Sequence, residues 1–141
     1  MPRKLSSRRF RRWRKRRPPR ASRPHSKSTA EIFKILGKAA RGKKCPAIDG
    51  LIEEGEEVIK DADDDTVRDA GMLAAAQTVE HYEISRYGTL KAWADKLGMD
   101  EISALLDETL QEEKATDAKL TDLAESEINI RPTRKRRRRH A

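Results

Sequence analysis

The sequence predicts an all-α fold, on three observations. Apolar residues recur at steps of three and four through successive segments, no stretch alternates apolar and polar residues as a half-buried strand does, and Gly37, Pro46 and Gly98 stand at segment ends.

The elements follow in order. Residues 1–28 have almost no apolar spacing, and Pro18, Pro19 and Pro24 interrupt them. Like charges repel along the arginine run at 8–17, so disorder is expected there. Helical order is expected to begin at a Ser28 or Thr29 cap, with Ile32, Phe33, Ile35 and Leu36 behind it and Gly37 ending the segment. Pro46 suits the first turn of a second helix, expected over 46–60. Ile48, Leu51, Ile52, Gly55 and Ile59 share its apolar face, and Glu53, Glu54, Glu56 and Glu57 cover the other. An acidic turn at 61–65 offers Asp64 or Asp65 as cap of a long alanine-rich helix from about Thr66 to Arg86 or beyond. Gly88 is expected to kink or break it, while Leu90, Trp93, Ala94 and Leu97 extend the apolar face to Gly98. A last helix is expected over 100–125, with Ile102, Leu105, Leu106, Leu110, Leu120, Leu123 and Ala124 on one face. The domain is thus read as 29–128, flanked by basic tails at 1–28 and 129–141.

Charge separates the same parts. Residues 1–30 hold ten Arg and three Lys, residues 131–141 hold six Arg and one Lys, and neither stretch has an acid. The remaining 12 basic residues stand with all 24 acids at 31–130, a net charge of −12. The overall +8 therefore describes neither part. Cationic arms on an acidic body can fold back or meet polyanions. Arg11, Arg12, Arg14, Arg16 and Arg17, with Arg136, Arg137 and Arg138, are the candidate phosphate contacts for a non-specific nucleic-acid role. Phe10 and Trp13 add little to it.

A single cysteine, Cys45, excludes an internal disulfide and any multi-cysteine zinc site, and it fits a reducing compartment. No apolar run is long enough for a membrane span, and the basic N-terminus lacks the apolar stretch of a secretory signal. A cytoplasmic protein without membrane contact is the expectation. No glycine-rich phosphate loop is present, and Ser85, Ser103, Ser126 and Cys45 have no base-and-orienter partners in sequence. These absences point away from an enzyme.

Two helical rows carry the candidate chemistry. Leu73, Ala76, Glu80, Glu83, Tyr87 and Leu90 form one, and Leu106, Leu110, Glu113, Asp117, Leu120 and Ala124 the other. Each places two carboxylates one turn apart within an apolar stripe. Such acids are costly in a core unless a cation or a hydrogen-bonded partner compensates them. Hard oxygen donors suit iron or manganese. His81 could add an imidazole, although it lies about 100° around the helix from Glu80. In a region nearly a quarter acidic, such rows also arise by chance. Tyr82, Tyr87 and Trp93 read as packing residues.

The run GKKCPAIDGLIEEG at 42–55 resembles the signature of the YciE/YciF family of ferritin-like proteins. So do VRDA at 67–70, AAAQTVEHYEI at 74–84, YGTL at 87–90 and LQEEKATD at 110–117. The resemblance covers residues 32 to about 127. It implies a ferritin-like antiparallel bundle, a homodimer, a bacterial stress-response role and a di-metal site to which Glu80, Glu83, Glu113 and Asp117 would contribute. The chain departs from the pattern upstream, where family members carry two long helices bearing the other half of the ligands. Here only the end of the second is legible, at 30–36, so the bundle reads as truncated. A dimer joining two half-sites, a loose helical monomer, or a reading-frame or start-site difference at 1–28 would each account for this. The abrupt loss of pattern beside intact downstream sequence favours the last. An oxidase-type enzyme at a di-iron centre ranks below the metal-binding and nucleic-acid readings, because at most half the ligands are present.

Overall fold

The computed structural model describes residues 24–130 and contains four α-helices and no strand among them. They are α1 (Pro24–Ile35), α2 (Pro46–Asp61), α3 (Asp65–Lys96) and α4 (Asp100–Leu123). After α4 the chain widens into a π turn, Ala124–Ile128, closed by Asn129 N–H donating to Ala124 C=O at 2.8 Å. The architecture is an all-α, ferritin-like antiparallel bundle. Its most extensive seam is α3 against α4, with α2 laid on α3 and α1 on α4.

Local chemistry sets most boundaries. Asp64 is the cap of α3: its Oδ1 accepts from the N–H groups of Thr66 at 2.7 Å and Val67 at 3.0 Å. A cap of this kind contributes about 1 kcal/mol. Gly37 and Gly98 take positive φ, 63° and 66°, and both close helices in the same way. Lys38 N–H reaches Phe33 C=O while Gly37 N–H reaches Lys34 C=O; Met99 N–H reaches Ala94 C=O while Gly98 N–H reaches Asp95 C=O. This double bond pattern satisfies carbonyls that a helix end leaves open, and glycine adopts the left-handed turn without a Cβ clash.

Four expectations are corrected. Helix α1 already includes Ser28 and Thr29 among its described residues, so neither is its cap. Gly88 does not break α3, which runs through it to Lys96. An isolated glycine costs only about 1 kcal/mol in a helix, and strong helix formers with a packed seam outweigh it. Trp93 is not a packing residue: it is 60% exposed, with Leu90 and Leu97 of the same row also open to solvent. Of that row only Ala94 is buried. On α2, Ile52 likewise falls outside the buried face, and Gly55 lies at its centre. The four glutamates of α2 are exposed as expected.

The core divides in two along the α3–α4 seam. Leu73 packs with Ala124 and Ile128 at one end, joined by Ala70 and Leu120. Ala94 packs with Ile102 and Leu106 at the other, joined by Ile32 from α1 and by Tyr87. Between these apolar clusters lie Glu80 and Glu113.

Candidate metal centre

Helix periodicity and the antiparallel seam together assemble the site. Glu80 and Glu83 stand one turn apart on α3, and Glu113 comes from α4 opposite them. One carboxylate oxygen from each lies within 4.8 Å of the others. Glu80 and Glu113 are buried, 7% and 3% exposed, and Glu83 is half-buried. Glu80 Oε2 is shielded from solvent and has no hydrogen-bond partner among the described residues.

Three carboxyl groups this close cannot all ionise in a dry setting without compensation. Burial first, then hydrogen bonding to Glu80 and the charge of Glu83, pushes the Glu113 carboxyl up to about 9. A retained proton is thus one way the cluster relieves its charge, and a cation is the other. Tyr87 borders the site, its hydroxyl pushed up to about 12 by burial and by the charges of Glu83 and Glu113.

Of the residues expected in the site, Glu80, Glu83 and Glu113 converge. Asp117 and His81 do not join them but pair with each other, Asp117 Oδ1 to His81 Nε2 at 3.1 Å. Asp117 Oδ1 also accepts from Gln77 Nε2 at 3.2 Å, and Gln77 Nε2 donates to Thr121 Oγ1 at 2.9 Å. The physical reason is angular. A step of four residues advances about 40° beyond a full turn, which carries Asp117 away from Glu113 and toward the side of α3 that bears His81. The eight arginines put forward as phosphate contacts, Arg11, Arg12, Arg14, Arg16, Arg17, Arg136, Arg137 and Arg138, lie outside the described residues, as does most of both tails.

A second constellation was not expected. Cys45 Sγ lies 3.3 Å from Tyr82 Oη, which accepts from Arg86 Nε at 3.0 Å, and the guanidinium sits 5.2 Å from the tyrosine ring centre. The Tyr82 hydroxyl, followed by the backbone N–H of Ile48, lowers the Cys45 thiol below its ordinary range. The group ties the start of α2 to the middle of α3. Only the four-residue spacing of Tyr82 and Arg86 was visible in the sequence; Cys45 is 37 residues away.

Comparison with known proteins bears on this geometry. Residues 20–132 match the family model described as a domain of unknown function, DUF892. The protein YciF of Escherichia coli (strain K12) is 58% identical over 86 residues, which cover 61% of this chain and 52% of that protein. The chain therefore spans about half the length of the curated relative it matches. The crystal structure of the E. coli stress protein YciF superposes with a TM-score of 0.70 at 46% identity, covering 76% of this chain and 68% of that one. YcfI from Rhodopseudomonas palustris gives 0.67 at 50% identity, covering 69% and 62%.

Proposed function

The chain belongs to the YciE/YciF family, the DUF892 domain, and from that premise we propose that it is a metal-binding stress-response protein of the bacterial cytosol. The observation that carries the reading is Glu80 Oε2, a buried carboxylate oxygen without a hydrogen-bond partner among the described residues, in a cluster with two further glutamates. A hard cation satisfies all three groups at once, and an all-oxygen donor set suits manganese or iron. Once bound, such an ion supplies Lewis acidity and a second accessible oxidation state. The protein's own part is positioning: two helices hold the carboxylates, and the flanking apolar clusters limit water on either side.

Three carboxylates can hold one ion, with water filling the rest of its shell. The metal pair implied by the family needs more, and a homodimer would double the set. The exposed row of Leu90, Trp93 and Leu97 supports that assembly. Sedimentation velocity on the full chain decides it, a monomer mass counting against it. Nothing in the site favours turnover over binding.

Dialysis against Mn(II) followed by metal analysis tests the reading. One ion per chain is expected for the wild type, with affinity reduced about tenfold or more in Glu80→Ala and in Glu113→Ala. A wild type that retains no manganese or iron would overturn it.

A further inference from the structure

The pairing of His81 with Asp117 leaves a donor group that the glutamate cluster does not use. Gln77 and His81 are four residues apart on α3 and share a face. Asp117 of α4 meets both, at 3.2 Å and 3.1 Å, through the same oxygen, Oδ1. The place is open: the His81 side chain is 68% exposed and that of Asp117 24%. The two glutamates nearest in sequence, Glu80 and Glu113, are buried.

We propose that His81, Asp117 and Gln77 form a second, solvent-facing cation site for a divalent ion with affinity for imidazole, such as zinc or cobalt. A 3.1 Å separation between His81 Nε2 and Asp117 Oδ1 is the bite that two donors present at roughly a right angle to an ion about 2.1 Å from each. On binding, the proton between these atoms leaves to solvent and the cation takes its place. The Gln77 amide turns over to present Oε1 in place of Nε2, a rotation that keeps its position. Thr121 Oγ1, which now accepts from that amide, then donates to it and holds it as an outer partner. Imidazole, carboxylate and amide oxygen leave further positions to water. This donor set selects borderline ions, in contrast to the all-oxygen cluster one turn away. The proposal uses none of the three glutamates and stands independently of what they bind.

The full chain, with His25→Ala and His140→Ala so that His81 is its one histidine, is titrated with Co(II) and followed by visible absorption and calorimetry. An imidazole-dependent class of binding is expected, lost in His81→Ala, lost in Asp117→Ala and weakened about tenfold in Gln77→Ala. It should persist in Glu80→Ala and Glu113→Ala, which separates its fate from that of the manganese reading. His81 is exposed, so its replacement is expected to leave the far-ultraviolet circular dichroism unchanged. Equal Co(II) binding by the parent and His81→Ala overturns the proposal. Loss in His81→Ala with full retention in Asp117→Ala also overturns it, because the histidine would then act alone.

Discussion

Gly55→Leu is expected to destabilise the fold by roughly 2–3 kcal/mol, lowering the thermal midpoint by about 10 °C. The cause lies where α2 crosses α3. A Cβ at position 55 would stand 2.9 Å from the Cβ of Ala75, closer than carbon atoms pack. Both atoms are fixed to their backbones, so no rotamer change relieves the contact and the helices must separate. Gly71 makes the reciprocal approach, with Val58 Cγ1 at 2.5 Å from its would-be Cβ. Gly55→Ala is the finer test. Alanine gains about 1 kcal/mol of helix propensity, and overpacking costs about 1–3, so a small net loss is expected. Gly50 is the control, because open space surrounds it and Gly50→Ala should raise stability. Thermal melts of the three variants measure the order. A Gly55→Leu protein that melts with the wild type would show that α2 does not lie on α3 as described.

Raising the pH from 5 to 9 without metal is expected to weaken the fold by up to about 5 kcal/mol through Glu113. The folded carboxyl holds its proton up to about 9, whereas an unperturbed one releases it near 4.5. Between those values the folded state binds more protons than the unfolded chain, so stability falls as pH rises. Below 4.5 both states are protonated and the penalty is absent. Above 9 both are ionised and the penalty is complete. Glu113→Gln keeps a donor facing Glu80 and Glu83 without an ionisable proton, and should flatten this part of the profile. Saturating Mn(II) should flatten it in the wild type for the same reason, since the cation replaces the proton. Urea unfolding at pH 5, 7 and 9 measures both effects. An equal pH slope in wild type and Glu113→Gln would remove Glu113 as its source.

The helices were legible because their signals are local. Pro46 fixes a start, Asp64 a cap, and Gly37 and Gly98 the stops, each acting within a turn of its own position. Glu80, Glu83 and Glu113 were legible as breaks in apolar rows. What crosses from one helix to another was not. Periodicity along α4 put Asp117 behind Glu113, but its partner depends on how α4 is rotated against α3, and nothing within α4 encodes that rotation. The Cys45–Tyr82 contact failed to appear for the same reason. Trp93 misled in the opposite sense: its spacing fits a buried face, and its surroundings leave it open.

The turn between α3 and α4 also has a kinetic meaning. Only Leu97, Gly98 and Met99 separate the helices, and Ser103 Oγ donates to Asp95 just beyond them. Partners eight residues apart thus meet first, when the entropy of loop closure is smallest. Each later pair, ending at Leu73 with Ala124, closes a loop already shortened by its predecessors. The seam can zip outward from its glycine corner, an order that favours rapid acquisition of the hairpin before α2 docks.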